Sequence, residues 1–321
     1  MKVLVTGAAG FIGSNLCEFL LDKGCSVTGL DNFCETYDPQ LKRLNLMRCQ
    51  ASKYFRLHEI DILDAPELMN CFEAEKPDVV VHLAALAGVR PSILTPGRYQ
   101  KVNVEGTTNV LEAMRSAGVG HLVFGSSSSV YGERTQTPFR ETDSVDHPVS
   151  PYAATKKAGE LLCATYHHLF GMSVDCLRFF TVYGPRQRPE MAISKFTDAL
   201  ISNRSITIYG DGTSARDYTF VSDIVRGIFA SVQNPDGYRV INLGGRQPIS
   251  LSKLVQVLGE SLSCTPELNY LPMQPGDVTI TCAAVDRAQE LLGFQSEVPI
   301  TDGVQQFVTW FQRTQTDPSF R

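Results

Sequence analysis

The first half of the chain alternates short, continuous apolar segments with longer amphipathic ones, and this alternation constrains the fold more than any other feature. Apolar strands separated by helices are typical of a parallel sheet that is covered by helices on both faces. We therefore predict a doubly wound α/β fold. Strands are predicted at residues 2–5, 26–30, 54–59, 79–82, 122–124 and 174–177, and helices at 12–23, 39–48, 66–75, 98–117 and 151–170.

The pattern changes near Gly184, where the segments become shorter and Gly and Pro more frequent. A strand is predicted at 206–209 and a helix at 222–232. At about 150 residues per domain, the 321 residues correspond to two units. We predict a first domain over 1–183 and a smaller α/β region over 184–321, whose chain can cross back to the first domain.

Composition excludes several classes of partner. The chain has 29 Lys and Arg against 34 Asp and Glu, a net charge of -5, and no run of like charges that would bind a nucleic-acid backbone. The most apolar later run, 79–89, is too short to cross a membrane, and the N-terminus lacks the apolar core of a signal peptide. Nine cysteines without a C-x-x-C pair indicate reduced thiols, so a cytoplasmic location is expected.

A glycine-rich turn joins the first predicted strand to the first helix. Glycine permits a tight turn there and lets the backbone approach a pyrophosphate, which binds at the N-terminal end of the helix. Asp31 ends the second strand, eighteen residues after Gly13. A carboxylate there accepts hydrogen bonds from ribose hydroxyls and repels a 2′-phosphate, so the cofactor is predicted to be NAD rather than NADP. The turn is Gly7-Ala8-Ala9-Gly10-Phe11-Ile12-Gly13.

Tyr152 and Lys156 are four residues apart in the predicted helix 151–170, which places both side chains on one face. A tyrosine acts as a base near neutral pH only if its pKa falls by roughly three units from about 10. A neighbouring lysine and the positive nicotinamide ring both favour the phenolate. The pair therefore predicts proton transfer beside a bound nicotinamide.

With its G-x-x-G-x-x-G turn and the Tyr-x-x-x-Lys pair, the chain resembles the extended short-chain dehydrogenase/reductases, whose first domain is a Rossmann fold. The resemblance implies that Ser127, in the run Ser126 to Ser129, bonds the substrate oxygen that is oxidised. Related dehydratases and decarboxylases carry acidic residues at the positions of Ser128 and Ser129. Serine at both predicts a reaction limited to the transfer of hydride. Cofactor contacts are implied at Gly7, Ala9, Gly10, Phe11, Ile12, Gly13, Asp31, Asn32, Asp61, Ile62, Leu83, Ala84, Ala85, Ala87, Asn103, Ser126, Tyr152 and Lys156.

Three further segments resemble the nucleotide-sugar epimerase group, and 178–192 is similar to the stretch typical of UDP-glucuronate 4-epimerases. A substrate with two phosphates and a carboxylate needs several fixed cations, for which arginine is well suited. Arg216 is predicted at the diphosphate and Arg188, rather than Arg186, at the sugar. Thr181 stands where UDP-galactose 4-epimerases carry Asn, which favours a charged sugar. The substrate set is Arg90, Ser127, Ser128, Ser129, Thr181, Arg186, Arg188, Arg216 and Asp277.

The resemblance therefore implies NAD-dependent 4-epimerisation of UDP-glucuronate, with tightly bound NAD and no metal, in a homodimer built on helices 98–117 and 151–170. Three alternatives stay open. One is a decarboxylase that forms UDP-xylose, and another is a 4-epimerase of a neutral or N-acetylated UDP-hexose. The third is a non-catalytic NAD(H)-binding sensor, which would have little need of the Tyr152–Lys156 pair.

Overall fold

Twelve strands and thirteen α-helices are found in residues 1–273 and 278–316, the part of the chain that the computed structural model describes. The strands are β1 (Lys2–Thr6), β2 (Ser26–Leu30), β3 (Phe55–His58), β4 (Val79–His82), β5 (His121–Ser127), β6 (Ser173–Phe179), β7 (Thr181–Tyr183), β8 (Ile206–Tyr209), β9 (Ala215–Phe220), β10 (Tyr238–Leu243), β11 (Pro248–Ser250) and β12 (Leu268–Leu271). The helices are α1 (Phe11–Asp22), α2 (Pro39–Asn45), α3 (Met47–Gln50), α4 (Ala65–Glu75), α5 (Val89–Leu94), α6 (Pro96–Gln100), α7 (Gly106–Ser116), α8 (Pro151–Phe170), α9 (Ala192–Ile201), α10 (Val221–Gln233), α11 (Leu251–Leu262), α12 (Asp286–Leu292) and α13 (Ile300–Thr316).

Seven parallel strands form the central sheet, in the order β10-β6-β5-β4-β1-β2-β3. The order reverses at β1, whose neighbours are β2 and β4. In open parallel sheets a crevice forms at this reversal, beyond the carboxyl ends of the strands, and ligands bind there. The predicted doubly wound fold is confirmed, and it places the glycine turn and the ends of β2, β4 and β5 at one edge.

Helices cover both faces of this sheet, because the strands are apolar on both sides. One core contains Leu16 and Leu20 of α1 with Ile224 and Ile228 of α10. The core on the opposite face contains residues of α4, α7 and α8, among them Phe72. Helices on both faces of the sheet therefore support the edge at which the glycine turn lies.

The remaining strands form two smaller sheets, β11-β9-β7 and β12-β8. Leu254 of α11 and Phe307 of α13 belong to a separate core in this region. Strand β10 nevertheless pairs with β6 in the central sheet, so the chain does cross back after residue 184. The boundary at 183 itself stays a prediction.

Two predicted helices are interrupted. The one at 39–48 ends at Asn45, and the short helix α3 follows after the fully buried Leu46, whose φ is −98° and ψ −3°. The one at 98–117 is broken by a π-helical segment, Lys101–Glu105, between α6 and α7. Such insertions are frequent at functional sites. Strand β5 also runs further than predicted, through Ser127, because Ser126 and Ser127 pair with β6. In the described ranges, no helix is long and apolar enough to span a membrane.

Candidate active site

A cavity of about 790 Å³ opens at the carboxyl edge of the central sheet, beside the reversal at β1. Its walls come from the glycine turn, the segments after β2, β3 and β4, the serine run, the start of α8, and residues 179–182, 188, 191 and 216. The alternation of strands and helices brings these distant segments to one edge. Both the Tyr152–Lys156 pair and most of the predicted cofactor residues line this cavity.

The glycine turn is packed too tightly for side chains at two of its glycines. Gly7 has φ +69°, and a Cβ added to it would lie 2.7 Å from the backbone nitrogen of Ala84. A Cβ on Gly13 would lie 2.1 Å from the carbonyl oxygen of Gly7. Helix α1 begins here, and no side chain in the described ranges caps it at Gly10. The unsatisfied N–H groups of its first turn are therefore available to an anion at the cavity wall, which Gly10, Phe11, Ile12 and Gly13 line.

Asp31 closes the turn from the end of β2. One carboxylate oxygen accepts the N–H of Ala9 at 3.0 Å, and the other accepts that of Phe33 at 2.8 Å. Burial raises the pKa of Asp31, and both backbone hydrogen bonds oppose this. Ala9 thus contributes to the site by holding the Asp31 carboxylate. The carboxylate lines the cavity, as a ribose-binding group requires.

Beyond Asp31 the wall continues with Asn32, Asp61 and Ile62. The Asn32 amide donates to Asp61 Oδ2 at 2.8 Å, and the N–H of Leu63 donates to Asp61 Oδ1 at 2.9 Å. These bonds join the end of β2 to the segment after β3. The structure thus brings these predicted cofactor residues together as one surface.

The predicted cofactor loop, residues 83–87, follows β4, packs against the glycine turn at Gly7, and lines the cavity beside it. Asn103, predicted as a cofactor residue, lies behind this loop and is 2% exposed. Its Oδ1 accepts the N–H of Leu86 at 2.8 Å, and its Nδ2 donates to the Leu86 carbonyl at 2.9 Å. Asn103 therefore holds the loop in place and does not itself line the cavity that the described residues form.

Tyr152 and Lys156 both line the cavity from the first turns of α8. Burial raises the pKa of Tyr152 above its usual value and outweighs a hydrogen bond with Ser127 and the charge of Arg188, which both lower it. Burial lowers the pKa of Lys156 to about 8. The Lys156 ammonium donates to the Gly125 carbonyl at 2.7 Å. The residues that favour the Tyr152 phenolate in the protein alone are therefore Ser127 and Arg188.

The serine run bends around the end of β5. Ser127 ends the strand and accepts the N–H of Ser129 on its Oγ at 3.2 Å, which starts a single turn of 3₁₀-helix over Ser128–Tyr131. The Oγ of Ser129 is buried without a hydrogen-bond partner among the described residues. Because a buried hydroxyl is costly without a partner, this atom is suited to a ligand oxygen.

A buried ion pair that the sequence analysis missed supports this end of the site. Glu160 is fully buried and receives two hydrogen bonds of 2.8 Å from Arg178 on β6, and one of 2.7 Å from Ser126. Burial raises the pKa of Glu160, but the bonds from Arg178 outweigh it and the pKa is lowered. The position of Glu160, four residues after Lys156, was the available signal, since it places the carboxylate on the face of Tyr152 and Lys156.

Six of the predicted substrate residues line the cavity: Ser127, Ser128, Ser129, Thr181, Arg188 and Arg216. Arg188 donates to the Ala87 carbonyl at 3.4 Å and pairs with Glu190 at 3.0 Å. Arg216 extends from β9, and its NH1 donates to the Ala215 carbonyl at 3.0 Å. Tyr37, Lys42, Arg98 and Lys101 also line the cavity, and no sequence motif distinguished them.

Two predicted substrate residues are placed differently, and a third is not among the described residues. The cavity wall, as far as the described residues form it, includes neither Arg90 nor Arg186. Arg186 forms an ion pair with Glu18 of α1. The Arg90 guanidinium lies 5.1 Å from the ring centroid of Tyr209. Asp277 lies outside the described residues, so its assignment stays a prediction. In the same ranges, no group of three His, Cys, Asp or Glu residues could hold a metal ion.

A glycine turn at a helix N-terminus, an acidic residue after β2 and a Tyr-x-x-x-Lys pair at the carboxyl edge define the site of an extended short-chain dehydrogenase/reductase. The model of the NAD dependent epimerase/dehydratase family matches residues 3–244. The chain belongs to that family.

Individual relatives cover almost the whole chain. A UDP-glucuronate 4-epimerase of Thermodesulfobacterium geofontis is 44% identical over 96% of this chain and 95% of its own length. The structure is similar to that of UDP-glucuronic acid 4-epimerase from Bacillus cereus in complex with UDP-glucuronic acid and NAD, with a TM-score of 0.91, 35% identity, and coverage of 98% and 99%. It is also similar to a UDP-glucose 4-epimerase of Thermotoga maritima with UDP-glucose, with a TM-score of 0.91, 32% identity, and coverage of 98% and 100%.

Proposed function

We propose that this chain converts UDP-glucuronate to UDP-galacturonate by NAD-dependent epimerisation at C4. One observation carries the proposal: the Tyr152–Lys156 pair shares a single cavity with Thr181, Arg188 and the serine run. Tyr152 and Lys156 provide the proton chemistry at a sugar hydroxyl. Thr181, Arg188 and the serine run provide hydrogen-bond donors for a charged sugar. The relatives that bind or act on UDP-glucuronate support the same choice.

The charge of the cavity fits the two ligands. Six cationic side chains of the described residues line it, against the two carboxylates of Asp31 and Asp61, although the protein carries a net charge of -5. Both NAD and UDP-glucuronate bring a diphosphate, and the sugar adds a carboxylate. An excess of fixed cations stabilises such ligands. The six are Lys42, Arg98, Lys101, Lys156, Arg188 and Arg216.

Tyr152 accepts the proton of the sugar 4-hydroxyl as a phenolate and later returns it. Ser127, which hydrogen-bonds to Tyr152, orients the oxygen of the same hydroxyl. Lys156, held by the Gly125 carbonyl, places its positive charge beside the reaction and binds the nicotinamide ribose. The 4-keto sugar rotates about its bond to the diphosphate, which Arg216 holds, so that its opposite face is presented for the return step.

The glycine turn and Asp31 hold the dinucleotide at the pyrophosphate and the adenosine ribose, and the cofactor loop borders its other side. When bound, NAD⁺ accepts hydride from C4 and returns it to the opposite face, so one molecule serves every turnover. Tight retention of NAD follows from this cycle, because release between the two half-reactions would strand the keto sugar.

The carboxylate creates a hazard, because a 4-keto uronic acid is a β-keto acid and loses CO₂ when its C5–C6 bond is perpendicular to the carbonyl plane. Donors from Ser127 to Ser129, with Thr181, hold the carboxylate away from that geometry. The Oγ of Ser129, which has no hydrogen-bond partner among the described residues, is one such donor. Serine at 128 and 129, in place of an acid, disfavours a decarboxylase.

A 4-epimerase of a neutral UDP-hexose is the second candidate, favoured by the structural similarity to the Thermotoga maritima enzyme. Thr181 and the number of arginines in the cavity weigh against it. A decarboxylase and a non-catalytic NAD(H) sensor are the other outcomes to be tested. The intact, cavity-lining Tyr152–Lys156 pair disfavours the sensor.

The test is to incubate the purified protein with UDP-glucuronate and no added NAD, and to follow the nucleotide sugar by mass and proton NMR. A product of unchanged mass with the small H3–H4 and H4–H5 couplings of an axial 4-hydroxyl is expected. Loss of a mass equal to CO₂, with a pentose spectrum, would identify a decarboxylase. If UDP-glucuronate is not converted even with added NAD, but UDP-glucose or UDP-N-acetylglucosamine is, the substrate is a UDP-hexose instead.

We further propose a cytoplasmic homodimer. Leu161, Leu169 and Phe170 of α8 are 56%, 61% and 48% exposed, which is unusual for large apolar side chains on one helix. A second copy that pairs α8 and α7 into a helical bundle would cover them. Light scattering tests this: twice the mass of the chain supports the dimer, and the mass of one chain removes it.

A further inference from the structure

His82 is the last residue of β4, is 2% exposed, and is hydrogen-bonded at both ring nitrogens. Its Nδ1 lies 2.7 Å from the hydroxyl of Thr6 at the end of β1. Its Nε2 lies 3.0 Å from the hydroxyl of Thr107 in α7. A hydroxyl can donate or accept, so the direction of these two bonds depends on what else each threonine binds.

The partners of Thr107 determine the direction. Its hydroxyl donates to the carbonyl oxygen of Asn103 at 2.7 Å, and a hydroxyl has only one hydrogen. The Thr107 oxygen must therefore accept from Nε2–H of His82. Burial lowers the pKa of His82 to about 3, with the charge of Lys156 acting in the same direction, so the ring is neutral. In a neutral ring with the proton on Nε2, Nδ1 accepts from the hydroxyl of Thr6.

One end of this chain of bonds reaches the cofactor loop. The Thr6 oxygen, having donated its hydrogen, accepts the N–H groups of Leu83 at 3.2 Å and Ala84 at 3.1 Å. Ala84 is the residue whose nitrogen lies 2.7 Å from the position of a Cβ on Gly7. The hydroxyl of Thr6 therefore holds the loop at the distance where it contacts the glycine turn.

The other end reaches the catalytic helix. Asn103 binds both backbone groups of Leu86 and donates to Thr155 Oγ1 at 3.0 Å. Thr155 donates in turn to the carbonyl oxygen of Tyr152 at 2.9 Å. Thr107 bonds the backbone carbonyl of Asn103, and the side chain of Asn103 bonds Leu86 and Thr155, so Asn103 joins His82 to both the loop and α8.

We propose that His82 is a positioning residue of the cofactor site, which as the neutral Nε2–H tautomer links the cofactor loop to α8. The inference rests on the use of NAD by this chain and is independent of which sugar nucleotide is the substrate. With the proton on Nδ1, the Thr6 oxygen would face a third donor beside the N–H groups of Leu83 and Ala84, and its own hydrogen would lose the acceptor Nδ1. The Thr107 oxygen would be left without a donor from His82. The loop would then lose its fixed distance from the glycine turn.

The tautomer is read directly by ¹⁵N NMR of histidine-labelled protein with its retained NAD. The His82 signals are assigned by their absence from H82Q. A protonated Nε2 and an unprotonated Nδ1 are expected, unchanged from about pH 8 to about pH 5, where an ordinary histidine titrates. A proton on Nδ1, or an imidazolium in this range, would overturn the assignment.

The consequence for the cofactor is tested with a matched pair, Thr107→Val and Thr107→Ser. Valine has the shape of threonine but breaks the chain, whereas serine keeps the hydroxyl. If only about a tenth of Thr107→Val molecules keep the loop in place, the dissociation constant of this variant for NAD rises about tenfold. Thr107→Ser is expected to bind NAD within about twofold of the wild type, because the binding-competent fraction is nearly restored.

His121→Gln is the control, because His121 is a second buried histidine, at the start of β5 and the opposite edge of the sheet. We expect it to lower the unfolding midpoint and leave NAD affinity unchanged. If Thr107→Val and H82Q also lose stability but bind NAD as the wild type does, His82 is only a core residue and the proposal fails. NAD binding needs no turnover, so failure of the sugar assignment leaves this result readable.

Discussion

Lys156 donates a hydrogen bond of 2.7 Å from its ammonium to the carbonyl oxygen of Gly125, the residue before the serine run. The next residue, Ser126, donates to Glu160, which lies one turn beyond Lys156 in α8. Strand β5 and helix α8 are thus joined twice at the cavity wall. The lysine is held by the fold before any ligand binds, which is the preorganisation that proton transfer beside it requires.

Replacement of Tyr152 by phenylalanine removes the base and leaves the ring in place. Turnover of UDP-glucuronate should fall by about 10²-fold or more, which is the usual contribution of a general base. NAD content after purification should stay at the wild-type level. Tyr166→Phe, in the same helix and bonded to Glu112, is the matched control and should retain full activity. A Tyr152→Phe protein with wild-type turnover would exclude this role.

Arg188 and Arg186 are two residues apart, yet only Arg188 lines the cavity among the described residues. Arg188→Ala should raise KM for UDP-glucuronate by about tenfold or more, since one lost charge-assisted hydrogen bond corresponds to about that factor. Arg186→Ala should change KM little, because its partner is Glu18. Steady-state kinetics of both variants test this, and the reverse ranking would assign the sugar end to Arg186.

Thr181→Ala removes a hydroxyl from the proposed carboxylate site. The keto sugar should then reach the geometry for loss of CO₂ more often, so the ratio of pentose to hexuronate product should rise severalfold. Thr36→Ala, which changes the cavity wall on the side of Asn32 and Cys34, serves as a control with unchanged ratio. Product ratios are measured by NMR. An equal ratio in both variants would mean that Thr181 does not hold the carboxylate.

Glu160→Gln should destabilise the protein, because it leaves Arg178 charged and buried without its partner. Loss of one member of a buried pair costs about 3–5 kcal/mol in unfolding free energy. The Arg43–Glu59 pair, whose side chains are 54% and 53% exposed, is the control, and Glu59→Gln should leave stability unchanged. Denaturant unfolding measures both. Equal stability of the two variants would show that the buried pair contributes no more than an exposed one.

Much of the fold could be predicted because the pattern that defines it is local. The bounds of β2, β4 and α8 match the predicted 26–30, 79–82 and 151–170, since each begins or ends at Gly, Pro or a change of polarity. The π-helical segment could not be predicted, because it forms where Asn103 bonds Leu86, which lies outside the segment in the loop after β4.

The arginines show the same limit at the site. Arg186 and Arg188 stand in the same motif, and the difference between them comes from Glu18, which is 168 residues away in the sequence. Local spacing contains no signal for such a contact. The Glu160–Arg178 pair could be predicted only in part, because the spacing from Lys156 indicates the face of α8 on which Glu160 lies but not its partner on β6.

The central claim is that C4 of the sugar loses its hydrogen as hydride and regains the same one. The most direct measurement uses UDP-glucuronate deuterated at C4, incubated with the purified protein in ordinary water and examined by mass and proton NMR. We expect UDP-galacturonate that retains the label at C4, because the hydride never exchanges with solvent. Product in which the deuterium has been replaced by solvent hydrogen would contradict the claim.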